Sequence, residues 1–567
     1  MKPERPRILF LQLPRLDNES SGPRENLPIA GFYLLHALEK GGRKPHEARF
    51  LTPEDEDLDD RHLLECIVDS KPDVIAATLY LWNIERTLHL LRKVRKRLPF
   101  VKTLAGGPEV AHHHPFLFKT RVFDVLVVGE GEPVFPSIIN ALQKGRGTDF
   151  STVAWRSGHS YAWGNRRVPA FSIRGSLPAP GHDGWRPDRN GMAYLETGRG
   201  CPLRCTYCRY GHLRLKTSFL SADEVRERLQ ILVDRGAKEI RFIDPVFNAN
   251  PEFPKVLKVL RELNHLRKIK LFAEIQADLL THDQIALLSA AGFNEVEAGV
   301  QSLNLQVLKR IHRPVRFSSL DKNLRLLTQK GVKVTIDLMY GLPGQTLHDV
   351  EKALHWAWKF RSAYVQCFQT LLLPGTELRE MRRRWKIEAH RLPPYGVCSS
   401  ETLTPEDVFR IEEMIHQKSP AEAMTRRFVG TRLPDLFKER VYLPFDGTKN
   451  PGKIQGTNSR RALLFSGAGL FAHRRDIAAT IRRAILAEPH MLWQFVLNPE
   501  EEEPLDLLAE MIAEIRKHSS HWIDRFAYVA GWNRIASRRI LVLLKRSRPY
   551  SASWIKATES LLEDHFY

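Results

Sequence analysis

Apolar and polar residues follow one another in two rhythms along the first part of the chain. Short β-rich runs at Ile8 to Leu13, Val74 to Leu79 and Val101 to Leu104 are separated by amphipathic segments at Ile29 to Lys40 and Asn83 to Lys96. Alternation of this kind predicts strands and helices building a parallel sheet. A further run, Phe123 to Val128, ends in Gly129-Glu130-Gly131-Glu132 before Pro133 opens a helix. That places a tight turn at the carboxyl end of a strand, where doubly wound folds bind ligands. Between Gly145 and Asn190 the pattern lapses into a hairpin, Val153 to Trp163, and a stretch rich in Pro, Gly and Ser, which marks a boundary.

From Met192 the alternation resumes. Strands are expected near Ala193–Thr197, Glu239–Ile243, Lys270–Ile275, Glu295–Val300, Val332–Leu338 and Tyr364–Phe368, each followed by a helical pattern. Six βα units predict a partial barrel, with its chemistry at the carboxyl ends of the strands. Beyond Pro374-Gly375-Thr376 strands become rare, and Pro405 to Tyr567 reads as mixed, mainly helical. The expected fold class is therefore α/β, in four parts. Residues 1–145 form a doubly wound, flavodoxin-like domain and 146–191 a linker; 192–376 form a partial (β/α)6 barrel and 377–567 a mainly helical region.

Composition narrows the setting. A chain of 567 residues with 43% apolar content sustains several buried cores. The apolar run after Lys2, Arg5 and Arg7 is too short for a signal peptide, and no other run approaches a membrane span, so a cytoplasmic protein without a membrane partner is expected. The formal charge of +20 is spread over the whole chain, and runs such as Arg382-Arg383-Arg384 read as solvated helix faces rather than a nucleic-acid surface. Six cysteines in so long a chain make no disulfide framework, but three of them fall within eight positions, which points to metal chemistry in a reducing compartment. Cys66 lies in an apolar helical stretch and reads as a buried structural thiol.

The dense segment is Gly198-Arg199-Gly200-Cys201-Pro202-Leu203-Arg204-Cys205-Thr206-Tyr207-Cys208, directly after the first expected barrel strand. In a loop, that spacing lets Cys201, Cys205 and Cys208 converge on three corners of an iron-sulfur cubane, leaving the fourth iron open. A zinc knuckle, the alternative, wants a second pair of ligands, and no such pair is nearby. The spacing, with Tyr207 before the last cysteine, resembles the radical S-adenosylmethionine superfamily. That resemblance covers Ala193 to Pro374 and implies a 4Fe-4S cluster whose open iron chelates S-adenosylmethionine. It also implies that Tyr207 packs near the adenine and that Asp244, in Phe242 to Phe247, takes the place of a Gly-Gly-Glu run that contacts the methionine amino group. That run itself is absent. Glu274, Glu297, Gln301 and Ser302 are implied to face substrate, ribose or methionine, and Gly341 and Gly344, in Tyr340-Gly341-Leu342-Pro343-Gly344, to lie beside the adenine.

The first domain carries a second resemblance. Leu27 to Gly31, Thr78 to Asn83, Gly106-Gly107-Pro108 and Val128 to Glu132 are similar, in order, to the cobalamin-binding domain found ahead of a large subgroup of these radical enzymes. Thr78, Tyr80, Gly106, Gly107, Gly129, Glu130 and Gly131 are the implied cobalamin residues. The Asp-x-His-x-x-Gly run that supplies a histidine to cobalt in other cobalamin domains is missing, since Pro14 to Gly22 holds no histidine. Tyr80 and Trp82 are then the candidates for the lower face, and His112-His113-His114 reads as an exposed loop.

Together the two resemblances imply a cobalamin-dependent radical enzyme, of which the commonest activity is methylation of an unactivated carbon or phosphorus centre. Two molecules of S-adenosylmethionine are implied, one as source of methylcobalamin and one as source of a 5'-deoxyadenosyl radical. The implied partners are a small-molecule or peptide substrate and an external electron donor of the flavodoxin or ferredoxin type. A cyclisation or rearrangement without methyl transfer remains an alternative, as does a non-catalytic cobalamin or redox sensor. A methylthiotransferase acting on tRNA needs a second cysteine set in the first domain, where only Cys66 lies. Cys367 and Cys398 are expected to be structural thiols, with Cys367 on a strand face that alternation makes a candidate for the barrel interior.

Overall fold

The structure is a computed structural model. It describes residues 5–16, 26–42, 45, 47–168, 171–181, 185–213, 216–418, 428–431, 433, 437, 439–445, 454, 456–518, 521–525 and 538–566. The first sheet takes β1 (Arg7–Leu11), β2 (Glu47–Phe50), β3 (Val74–Thr78), β4 (Lys102–Gly106), β5 (Val125–Val127), β6 (Val153–Ser157) and β7 (Ser160–Trp163) in the order β2-β1-β3-β4-β5-β6-β7. The first five strands are parallel, in the doubly wound order expected of a flavodoxin-like sheet. Strands β6 and β7 join antiparallel, so the expected hairpin belongs to this sheet, which runs past residue 145 into the stretch read as linker. Its central parallel strands bury apolar side chains on both faces, and two cores follow. One packs Leu9, Ile75 and Leu126 under the helix Ile84–Arg97, and the other packs Ile8, Leu104 and Val125 under the helix Phe135–Lys144. Each such fully buried side chain contributes about 1.5–3 kcal/mol.

The barrel follows. Strands β8 (Met192–Leu195), β11 (Glu239–Phe242), β12 (Lys270–Ile275), β13 (Phe293–Gln301), β14 (Lys333–Tyr340) and β15 (Tyr364–Gln369) run parallel in the order β15-β14-β13-β12-β11-β8. Two short strands, β9 (Gly198–Arg199) and β10 (Ser218–Phe219), pair beside the loop that carries the three cysteines. Helix starts are written into the sequence: Ser221 with Glu224, Thr281 with Gln284, and Thr346 with Asp349 form reciprocal capping boxes. On the outer face, Ala193, Ile240, Ala273, Val296, Ile336 and Cys367 share one core with those helices. Cys367 is thus fully buried on the helix side, not the barrel interior, because its strand register sets Gln366 beside Asp337 on the inner face. Burial drives its thiol pKa upward. Cys66, in the helix Asp60–Asp69, is only half-buried.

After the barrel, β16 (Glu388–Ala389) and β17 (Val397–Ser399) pair antiparallel, and the helix Pro405–Gln417 packs back on the barrel core through Val408, Ile411 and Ile415. The last region is where the sequence reading needs correcting. Its helices, Arg474–Ala487, Leu505–Lys517 and Ala552–Phe566, outweigh its strands as expected. They cover, however, one face of an all-parallel sheet of β18 (Val429–Gly430), β19 (Glu439–Pro444), β20 (Arg460–Gly467), β21 (Leu492–Pro499) and β22 (Arg538–Leu543), ordered β18-β22-β21-β20-β19. This third α/β unit packs on the first domain rather than on the barrel alone: Leu464, Leu492 and Trp522 form a core with Leu16, Leu81 and Trp82. Among the described residues no helix is long and apolar enough to cross a membrane.

Candidate functional site

The chain leaves β8 through Glu196 and Thr197 and enters the cysteine loop. Asp244, at the end of β11, holds this exit: its carboxylate accepts from the backbone N–H of Thr197 and of Gly198, each at 2.7 Å, and from the Thr197 hydroxyl. Burial pushes the Asp244 carboxyl up to about 7 against those donors. The sequence reading sent this side chain to a cofactor; the structure spends it on the loop.

The three thiols lie close enough that Cys205 raises the cost of ionising both Cys201 and Cys208. Burial, joined by Cys208 and Cys205, pushes Cys201 up to about 11, and Cys208 is raised by burial and by Cys205. A cationic centre relieves that crowding, so the donor set suits an iron-sulfur cluster. Behind Cys205 stands Arg313, a residue the sequence reading missed. Its Nη1 lies 3.9 Å from the Cys205 sulfur while Nε and Nη2 donate to the Gly299 carbonyl. Burial works against its charge, but Tyr207 and Cys205 hold the proton on. Tyr207 is wedged between Met339 and Leu342 on one side and Tyr395 and Val397 on the other.

The barrel interior is lined by acids. Glu274 and Glu297 are register partners on β12 and β13, and Asp337 lies on the adjacent β14. Glu274 is open to the lumen yet walled by protein, and burial, Glu297 and Asp244 push it up to about 8. Asp337 is buried, shares a side-chain hydrogen bond with Glu297 and accepts from Gln366 at 3.3 Å; burial and Glu297 raise its pKa well above the usual carboxylate range. Gln301 closes β13 with a left-handed φ of 68°, and its Oε1 is buried without a hydrogen-bond partner among the described residues. Ser302, by contrast, is fully buried and used locally, accepting from the backbone N–H of Asn304. Gly341 backs onto Val397, and Gly344 onto Arg310, whose Nη1 donates to its carbonyl at 3.4 Å.

On the first domain, Thr78 and Gly106 are partners at the carboxyl ends of β3 and β4. Beyond Gly106 the backbone faces open space: a Cβ there meets nothing nearer than the Val127 carbonyl at 3.8 Å. At Gly107, with φ of 101°, a Cβ would fall 2.7 Å from the Leu79 carbonyl oxygen, so only glycine serves. Tyr80 and Trp82 stack at 4.3 Å, with the loop stitched by buried Asn83, which donates to Leu13 and Thr78 carbonyls. Gly129 and Gly131 flank Glu130, which lies 3.6 Å from Arg199 in the barrel loop; Glu132 is closer, at 2.6 Å. Within the histidine triplet His112 and His113 are exposed, as expected, and His114 is not. His112 packs on Trp163, but His114 is fully buried: its Nδ1 accepts from the Leu117 N–H, and its Nε2 meets Glu109, which also accepts from the Tyr395 hydroxyl at 2.8 Å.

Fold and site thus define a two-cofactor class: a doubly wound domain with an open glycine edge, set against a three-thiol loop at the mouth of an acid-lined partial barrel. Comparison with known proteins agrees. The model of the B12 binding domain matches residues 27–139, and that of the Radical SAM superfamily matches residues 195–357. An uncharacterized methyltransferase of Pyrococcus horikoshii is 23% identical over 367 residues, 62% of this chain and 78% of that protein. The cobalamin-dependent radical SAM methyltransferase TokK of Streptomyces tokunonensis is 26% identical over 394 residues, 63% of this chain but only 56% of its own length. A solved structure of TsrM, a radical S-adenosylmethionine methyltransferase of Kitasatospora setae with cobalamin and a 4Fe-4S cluster bound, shares the fold. Its TM-score is 0.55 at 16% identity, over 71% of this chain and 82% of that one. The chain therefore carries a B12 binding domain followed by a Radical SAM domain, and the cofactors that these two domains imply are a 4Fe-4S cluster, S-adenosylmethionine and cobalamin.

Proposed function

We propose that the protein is a methyltransferase that places a methyl group on an unactivated carbon or phosphorus centre of a small biosynthetic intermediate. The observation that carries this reading is the meeting of two loops: the three-thiol loop is bonded directly to the glycine-bearing strand ends of the first domain. Similarity to TokK and to the Pyrococcus methyltransferase supports methyl transfer as the chemistry.

In this reading Cys201, Cys205 and Cys208 hold the cluster. Tyr207, Gln301, Asp337 and the Gly341 turn bind S-adenosylmethionine, with Glu274 and Glu297 facing it or the substrate. The unpaired Gln301 Oε1 is an acceptor, and Asp337, its carboxyl raised by burial and by Glu297, is a donor while protonated, which together suit a diol. Glu274, protonated below about pH 8, donates rather than repels an incoming carboxylate. Thr78, Tyr80, Gly106, Gly107, Gly129 and Gly131 line the cobalamin edge. Asp244, Ser302 and Glu130 shape the loops instead. When bound, the cluster supplies the electron that cleaves S-adenosylmethionine, and cobalamin carries the methyl group. An acidic flavodoxin or ferredoxin in the cytoplasm fits the basic chain as electron donor, with no nucleic acid partner.

The test needs no substrate. Protein reconstituted anaerobically with iron, sulfide and hydroxocobalamin is given reductant and S-adenosylmethionine. A methyltransferase forms both 5'-deoxyadenosine and S-adenosylhomocysteine. A rearranging enzyme forms only the first, and a sensor forms neither.

A further inference from the structure

The cysteine loop is bracketed by two arginines that both leave the barrel. Arg199 precedes Cys201 by two positions and Arg209 directly follows Cys208. Arg199 is fixed on its own side by Glu196, with Nε to Oε1 at 2.7 Å and Nη2 to Oε2 at 2.8 Å. Its Nη1 crosses to Glu132 at 2.6 Å, in the turn after β5. The guanidinium is 14% exposed and lies over the rings of Tyr33 and Phe171. Among the described residues Arg209 meets no carboxylate within bonding distance. Its fork instead donates to three backbone carbonyls: Pro108 at 3.3 Å and Val110 at 3.0 Å, in the turn after β4, and Gly375 at 3.0 Å, after the last barrel strand. Room for it is made by Gly375, where a Cβ would fall 2.3 Å from Nη1.

Burying a guanidinium costs several kcal/mol of desolvation, so a surface loop has no reason to carry two of them in this way. What the pair achieves is geometric. A planar fork with fixed acceptors is a rigid connector, where a lysine would be a flexible point charge. Two such connectors, one at each end of the cysteine motif, land on the ends of two neighbouring strands of a single sheet. One attachment leaves a loop free to swivel; two fix its orientation.

We propose that Arg199 and Arg209 are positioning residues that clamp the cluster-binding loop to the cobalamin-binding edge of the first domain, holding the two cofactor sites at one separation. The inference rests on the functional reading above for what the two sites bind, but the clamp itself is a property of the polypeptide. Neither arginine touches a reacting atom.

Hydrogen-deuterium exchange on the full chain without cofactors tests the clamp. Glu132→Gln, in the first domain, is expected to speed exchange in residues 198–204 by about tenfold, the size of effect expected when a local opening loses a charge-assisted bond. Arg209→Met is expected to do the same in residues 107–111 and 205–211, with β20 and β21 unchanged as internal controls. Should Arg209→Met fail to fold, Arg209→Lys replaces it, and a smaller acceleration in the same two segments is expected. Wild-type exchange in residues 198–211 in both the Glu132 and the Arg209 variants overturns the clamp. Pulsed electron paramagnetic resonance then measures the distance between the reduced cluster and cob(II)alamin in loaded protein. Wild type is expected to give one narrow distribution and Arg209→Lys a broadened one; identical distributions count against the positioning role. A wild-type protein that takes up no hydroxocobalamin refutes the functional reading, and the exchange experiment still decides the clamp.

Discussion

Two parallel sheets in this molecule end in glycine-bearing turns, and only one of them is open. In the first domain the turn after β4 presents the Pro108 and Val110 carbonyls to Arg209 of the barrel loop, the turn after β5 meets Arg199 through Glu132, and Gly106 faces free space. In the C-terminal unit, β20 runs into Gly467-Ala468-Gly469 ahead of a helix, a pattern that elsewhere cradles anions. Here the cradle is already filled from within. Glu501 accepts from the Gly469 N–H at 2.8 Å, and Glu503 accepts from Leu470 at 2.7 Å and Phe471 at 2.9 Å. A glycine turn at a strand end is thus a site only while its donors are unspent, and the acids that follow β21 make the second sheet a scaffold.

The strongest way to break the contrast is to empty the open site. Replacing Cys201, Cys205 and Cys208 together by Ala is expected to remove all reconstituted iron and sulfide and all 5'-deoxyadenosine; a full cluster in that variant refutes the assignment. Next comes the acid that holds the loop. Because the folded Asp244 carboxyl is raised to about 7 from 3.8, the folded state keeps a proton that the unfolded chain releases, and stability is lost as pH rises from about 4 to 7. Asp244→Asn removes that loss, so the variant should gain on wild type by up to about 4 kcal/mol between pH 4 and pH 8, read by urea unfolding of apoprotein. Glu503→Ala probes the closed site: uncapping the Leu470 and Phe471 N–H groups should cost about 2 kcal/mol, partly restored by sulfate; undiminished stability would mean the plug carries no weight. Smallest of all, the Cys367→Ala, Cys398→Ala double variant should keep wild-type iron and sulfide. Cys367 faces the helices, and the Cys398 sulfur donates to the Gly396 carbonyl at 3.5 Å.

All six barrel strands were legible because each apolar run is short, bounded and followed by a helical period, and the cysteine spacing named its own chemistry. The C-terminal sheet was not. Its strands, such as Arg461-Ala462-Leu463-Leu464-Phe465, are apolar on both faces, and such a run does not distinguish a buried strand from a buried helix turn. Nor was His114, whose burial depends on Tyr395, 281 residues away in sequence. Alternation put Cys367 on a face without saying which face is inner; that depends on Asp337 and Gln366 in the neighbouring register. Arg199 and Arg209 stood in plain view as charged residues beside the motif and Arg313 far along the chain from it, but a charge declares its partner only once the chain has folded.

The core shared by Leu16, Leu81 and Trp82 with Leu464, Leu492 and Trp522 also sets a timetable for synthesis. The first domain leaves the ribosome long before its cover exists: the stretch from Trp82 to Arg460 takes roughly 20–75 s to make at about 5–20 residues per second. Throughout that interval Leu16, Leu81 and Trp82 lack the C-terminal side chains that cover them in the finished fold. Yield in a heterologous host is therefore expected to rise when chaperones are co-expressed.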